Sequence, residues 1–140
     1  ELELIESTNP CGEQPLQPWD ACNLGSINLG KFVLEDFSDV DWDSLKEVTQ
    51  KSVEFLDDVV QTNPYTLSDI YDKVHSVRRI GLGVMGWADL LIELDIPYNS
   101  EEALNLANMV GAQLKTVADN ESSILANIRG SFPAFEESLL

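Results

Sequence analysis

Arg78-Arg79-Ile80-Gly81-Leu82-Gly83-Val84-Met85-Gly86-Trp87-Ala88-Asp89-Leu90-Leu91 is the stretch on which the fold turns. Its glycines at 81, 83 and 86 satisfy G-x-G-x-x-G, and Trp87, Leu90, Leu91 and Leu94 then give a helix one apolar face, as after a dinucleotide-binding turn. Such a turn needs a buried, largely apolar strand just before its first glycine. Here Asp72-Lys73-Val74-His75-Ser76-Val77-Arg78-Arg79 precedes it, which is charged and reads as the end of a helix. Dinucleotide binding is therefore not expected. The glycines are expected to let a neighbouring element pack closely against this backbone.

Helices flank that stretch on both sides. Upstream, Asp41 can cap and Val40 can staple onto Leu45, and Leu45, Val48, Ser52, Phe55, Leu56 and Val59 then make a stripe at three-to-four spacing, so a helix is expected over 41–62. Asn63-Pro64 stops it, because the residue before proline is pushed out of the α region. A second helix is expected over 66–78, capped by Thr66 or Ser68, with Leu67, Ile70, Tyr71 and Val74 inward; His75 near its end reads as a surface or capping residue. Downstream, a helix over 87–95 ends at Ile96-Pro97-Tyr98. The longest, over 100–129, starts from Asn99 or Ser100, with Glu102 completing a capping-box-like turn. Its stripe runs through Leu104, Ala107, Val110, Gly111, Leu114, Val117, Ala118, Leu125 and Ile128 to a stop at Gly130, and Ser131 to Leu140 reads as a surface tail.

Residues 1–34 have a different character. Glu1-Leu2-Glu3-Leu4-Ile5-Glu6 alternates as a short strand would, with Leu2 and Leu4 on one face. Pro15 and Pro18 forbid helix after it, leaving an ordered loop that Trp19 pins. Ala21 to Val33 shows no clean helical period, and Gly25 and Gly30 would break a helix, so it reads as strand or irregular extended chain. Within the loop, Asn9-Pro10-Cys11-Gly12-Glu13-Gln14-Pro15-Leu16 sets an amide and a carboxyl two residues either side of a thiol. In extended chain, residues at i, i+2 and i+4 project to one side, so Asn9, Cys11 and Glu13 are expected to face one ligand. Taken singly, Asn9 is a turn residue, Glu13 a surface charge and Cys22 a buried structural thiol.

The 140 residues, 44% of them apolar, are enough for one globular unit with a real core. Eight Lys and Arg stand against 25 Asp and Glu, a net charge of −17. That sign argues against attraction to a nucleic acid polymer or an anionic membrane, so a nucleotide would be held by local donors. The longest charge-free apolar stretch, Ile80 to Ala88, is far too short to span a bilayer, and no secretion signal is visible. Two cysteines make no secreted disulfide framework and suit thiols in a reducing, cytoplasmic setting. The spacing of Cys11 and Cys22 is not that of a zinc knuckle, and with only His75 as a further soft ligand no metal site is expected.

The wording of the loop resembles a known family. Asn-x-Cys-x-Glu followed by Cys22-Asn23-Leu24-Gly25-Ser26-Ile27-Asn28-Leu29 is similar to the catalytic subunit of ribonucleotide reductase. Asn-Pro-Cys-Gly-Glu-Gln-Pro-Leu is most similar to its adenosylcobalamin-dependent class II members. Arg78 to Leu91 and Pro97-Tyr98-Asn99-Ser100-Glu101-Glu102-Ala103 extend the resemblance over most of the chain. It implies an α/β fold, a mainly helical piece with short strands belonging to the ten-stranded α/β barrel of a longer chain, with 1–140 forming a single part of it.

The resemblance also implies roles. Cys11 is transiently oxidised to a thiyl radical that takes the ribose 3′-hydrogen, Glu13 accepts the 3′-hydroxyl proton, and Asn9 orients the sugar. Cys22, with a partner thiol outside this chain, supplies the reducing equivalents and ends as a disulfide. The implied partners are a ribonucleotide substrate, a thioredoxin-like or glutaredoxin-like reductant, the rest of the parent chain and, in some form, a homo-oligomer. Adenosylcobalamin is the implied radical source. Two other readings remain open on the residues: a class I large subunit that takes its radical from a separate subunit, and a non-catalytic acidic helical interaction module with two structural cysteines.

Overall fold

In a computed structural model that describes residues 4–138, a small antiparallel hairpin, β1 (Ser7–Thr8) and β2 (Pro15–Leu16), leads into β3 (Asn23–Asn28). Two helices follow, α1 (Trp42–Thr62) and α2 (Ser68–Val77), then β4 (Ile80–Met85), α3 (Trp87–Glu93) and α4 (Glu101–Arg129), with 3-10 turns at Leu29–Lys31 and Phe135–Glu137. β3 and β4 pair in parallel along their whole length, from Asn23 opposite Ile80 to Asn28 opposite Met85. Parallel strands need a long crossover, and α1 and α2 supply it. The fold is mixed α/β, and the described strands form two two-stranded sheets without closing a barrel.

The glycine stretch is therefore a strand, an element absent from the sequence reading. Its glycines do permit close approach. A Cβ on Gly81 would overlap Leu24 Cδ2 of the neighbouring strand, and one on Gly86 would overlap Asn28 Oδ1 and lie 3.1 Å from Gly30 N. Gly86 also sits at φ +71, in the left-handed region. Asn28 uses that space to accept from Gly30 N at 3.2 Å, which caps the 3-10 turn leaving β3. Gly81 and Gly83 thus lie inside β4 rather than between strand and helix.

Elsewhere the helices occupy the expected parts of the chain but often turn a different face inward. Asp41 caps α1, accepting from Ser44 N at 3.0 Å and Ser44 Oγ at 2.7 Å, and Val40 and Leu45 are both buried beside each other's turn. The buried stripe of α1 is Leu45, Thr49, Val53, Leu56 and Val60, so Val48 and Phe55 face outward. Thr49 can be buried because its hydroxyl donates to the Leu45 carbonyl at 2.7 Å. In α2 only Val74 is buried, and Leu67 occupies the cap position without any side-chain bond, in place of Thr66 or Ser68. Ser100, not Asn99, caps α4, accepting from Ala103 N at 3.1 Å. The inner face of α4 is Ala103, Leu106, Val110, Val117 and Leu125, leaving Leu104 and Ile128 exposed. Leu90 and Leu91 of α3 close the core against Ile27 and Leu29, as the apolar face of that helix requires. Of the strand expected at the N-terminus, residues 1–3 lie outside the described residues, and Leu4 to Glu6 form no strand. Only the Glu6 N–H, bonded to Leu16 O at 2.9 Å, joins the hairpin.

Two stability predictions follow from these contacts. Gly86→Ala forces a side chain into a left-handed conformation and against the Asn28 cap, and should cost about 2 kcal/mol. Gly81→Ala meets only the flexible end of Leu24 and should cost less, as compared by urea midpoints. The hydrogen bonds from Ser44 hold the Asp41 carboxyl below its usual range. Its contribution is therefore present above the unfolded-state value and lost as pH falls through the folded one. Asp41→Ala should flatten the acid side of a plot of thermal midpoint against pH.

Candidate active site

The tip of the β1–β2 hairpin carries the first group of expected residues. Gly12 N donates to Asn9 O at 3.0 Å, Asn9 N to Gln14 O at 3.3 Å, and Gln14 N to the side-chain Asn9 Oδ1 at 3.0 Å. Gly12, at φ +82, supplies the left-handed residue this closure requires. The tip is a folded turn, so the alternate-side projection expected of extended chain does not apply. Asn9 ties the two sides of the turn together through its carboxamide oxygen, and Cys11 stands exposed at the tip as a free thiol.

Cys22 lies immediately before β3, half-buried and also free. Its thiol donates to Asn23 O at 3.5 Å, and a Cβ on Gly81 would sit 3.5 Å from its sulfur, so the glycine of β4 makes room for it. Beside it is an ion pair: Arg79 Nε donates to Asp20 Oδ2 at 2.8 Å, while Asp20 Oδ1 accepts from Ala21 N at 2.9 Å. The Asp20 side chain has no exposed surface. Burial pushes the Cys22 thiol up, the Arg79 charge pulls it down, and Asp20 and Glu13 push it up again. Glu13 of the hairpin is thus close enough to Cys22 to be felt electrostatically. The structure brings Cys22, Asp20 and Arg79 together at the heads of β3 and β4, while Cys11, Asn9 and Glu13 lie on the hairpin.

Asp20 and Arg79 have no role in the sequence reading. The available signal was Arg78-Arg79 itself, two of only eight Lys and Arg in an acidic chain, just ahead of the glycine-rich stretch. The two arginines diverge because Arg78 takes a left-handed conformation, φ +46, at the end of α2. Arg78 turns to Asp57 of α1, donating from Nε to Oδ1 at 2.8 Å, while Arg79 turns to Asp20.

His75 is a packed residue. Its ring stacks on Tyr71 with centroids 4.0 Å apart, meets Tyr65 edge-on, and its Nδ1 lies 2.8 Å from Tyr71 O. Among the described residues no three His, Cys, Asp or Glu side chains gather as a metal site would require. No described helix is long and apolar enough to cross a membrane.

Residues 1–140 match the family described as ribonucleotide reductase, barrel domain. The chain is 48% identical over 134 residues to the vitamin B12-dependent ribonucleoside-diphosphate reductase of Mycobacterium tuberculosis, covering 96% of this chain and 19% of that protein. It is 50% identical over 131 residues to the enzyme of the same name from Thermoplasma acidophilum, covering 94% and 17%. With the ribonucleoside-diphosphate reductase subunit alpha of Chlamydia muridarum the identity is 37% over 117 residues, covering 84% and 11%. The chain thus spans about a fifth or less of the length of the curated relatives it matches.

The exposure of the two thiols gives an ordered labelling pattern. Cys11 should react first with iodoacetamide and Cys22 more slowly, with the Cys22 rate continuing to climb on the alkaline side because its thiol is pushed up. Peptide mass spectrometry against time and pH reads both.

Proposed function

The chain belongs to the ribonucleotide reductase barrel-domain family, and from that premise we propose that it is the active-site segment of a longer reductase chain that converts ribonucleoside diphosphates to deoxyribonucleotides. The observation that carries this reading is the hairpin. Its turn exposes one thiol, Cys11, and is closed by Asn9 and carries Glu13, while a second thiol, Cys22, lies half-buried just before β3.

In this reading Cys11 Sγ, as a thiyl radical, removes the 3′-hydrogen of the ribose, and Glu13 accepts the 3′-hydroxyl proton, which needs only hydrogen-bond reach. Asn9, already fixed by its bond to Gln14 N, offers its amide NH2 to the sugar without further ordering. The 2′-hydroxyl leaves as water, a hydrogen replaces it at that carbon, and the Cys11 thiol returns a hydrogen to the 3′-carbon, which restores the thiyl radical. The two electrons come from Cys22 and a partner thiol contributed by another part of the longer chain, which end joined as a disulfide that an external thioredoxin-like or glutaredoxin-like dithiol reduces. A homo-oligomeric parent and a cytoplasmic setting belong to the same reading.

The radical source is proposed to be adenosylcobalamin, on the 48% and 50% identity to relatives named as vitamin B12-dependent. The described residues do not themselves fit a seat for that cofactor: the one histidine is stacked and bonded within α2, and the cavity of about 600 Å³ beside α2 is lined by arginines engaged with carboxylates. A class I enzyme with a separate radical subunit is the second reading, favoured only by the 37% identity to a subunit alpha.

The test is deoxynucleotide formation by the full-length reductase chain with a dithiol reductant and adenosylcobalamin as sole radical source. Turnover is expected in the wild type and should vanish in Cys11→Ser and Cys22→Ser. Absence of turnover until a radical subunit is added would transfer the assignment to class I, and absence under both conditions would leave the non-catalytic reading.

A further inference from the structure

The ion pair beside Cys22 joins an Asp20 side chain with no exposed surface to an Arg79 side chain that is one-third exposed. Asp20 is fully enclosed, and both its oxygens are used, one by its neighbour's backbone N–H and one by Arg79. Arg79 is 59 residues away in sequence and reaches it across the head of the parallel strands. The chain leaves α2 through a left-handed C-cap at Arg78, which pairs with Asp57 while Arg79 pairs with Asp20. What lies between the partners' elements is the thiol: Cys22 is two residues after Asp20, and Gly81, two residues after Arg79, faces its sulfur.

We propose that Arg79, held by the buried Asp20 carboxylate, is a positioning residue for Cys22 that keeps this thiol competent for thiol–disulfide exchange. The inference rests on the reading of Cys22 as a reducing thiol and adds a residue to it. The charged groups acting on the thiol are Arg79, Asp20 and Glu13, and Arg79 is the single cation among them. Burial, Asp20 and Glu13 all disfavour the thiolate. Without Arg79 nothing in this neighbourhood would favour it, and the thiolate is the form that attacks or leaves a disulfide. Asp20 serves by fixing the guanidinium, whose planar fork presents a constant orientation as a flexible ammonium would not.

The experiment is the pH profile of Cys22 alkylation in the full-length chain, read by mass spectrometry of the Cys22 peptide, in wild type and Arg79→Gln. The midpoint should rise in the variant, with about tenfold slower labelling near neutrality for each pH unit of that rise. Arg79→Lys should recover part of the shift by restoring the cation. Because Arg79→Gln strands a buried carboxylate, the double variant Asp20→Asn with Arg79→Gln removes the pair as a unit and keeps the test independent of folding. Its midpoint should still rise, though less, since Arg79 acts on the thiol more strongly than Asp20 does. Unchanged midpoints in both variants, with thermal unfolding as in the wild type, would overturn the proposal. Labelling requires no turnover, so this result is independent of the reductase reading, which fails separately if Cys22→Ser remains fully active.

Discussion

Everything in this chain is arranged by the parallel pairing of β3 with β4. Parallel strands cannot be joined by a tight turn, so the sequence between them must travel back over the sheet, and α1 and α2 make that journey. Leu56 of α1 lies over Gly25 of β3, and Asn23 anchors the same helix by donating to the Leu56 carbonyl at 2.7 Å. At the far end the strands release the chain through Asn28 and Gly86. Each of these needs the other: the amide of Asn28 fills the space that a side chain at 86 would take. That joint sets where α3 starts, and Leu90 and Leu91 then meet Ile27 and Leu29 to close the core.

The same pairing explains the chemistry at the opposite end. Strands in register bring the residues just before them together too, so Asp20 and Cys22 before β3 meet Arg79 before β4. A carboxylate with no exposed surface is tolerable only with a well-placed cation, and the cation that stabilises it also acts on the adjacent sulfur. Glu13 of the hairpin adds a further push upward on the thiol. One thiol is consequently half-buried among opposing charges while the other, eleven positions away, is exposed at a turn.

Much of this was legible in the residues, for identifiable reasons. Asp41, Asn63-Pro64 and Gly130 bound their helices because capping and proline sterics are local. Burial was harder to read. α1 carries apolar residues on more than one face, and which face turns inward is decided by α4 and β3, so Thr49 and Val53 are buried while Phe55 is 66% exposed. β4 was hidden because glycine is a poor strand former and because the familiar glycine motif places its strand before the first glycine, whereas here the strand runs through two of the three. The hairpin turn was hidden for the opposite reason: Asn9, Cys11 and Glu13 were read as extended chain, and the closing bonds of Asn9 with Gln14 and of Gly12 with Asn9 depend on distances that alternation cannot convey. Asp20 and Arg79 are 59 residues apart, and only the register joins them.

The distribution of cations completes the picture. With eight Lys and Arg in a chain of net charge −17, each arginine is committed to carboxylates: Arg78 to Asp57, Arg79 to Asp20, and Arg129 to Asp57 and Asp58. Residues 4 to 22, which hold both thiols, contain no Lys, Arg or His at all. A hairpin of that composition repels phosphates while it presents an amide, a carboxylate and a thiol. Under the proposed function this segment would meet the neutral ribose, and phosphate recognition would fall to backbone donors or to cations carried elsewhere. Such a division would keep the phosphate charges away from Cys22, leaving Arg79, Asp20 and Glu13 as the charges that act on that thiol.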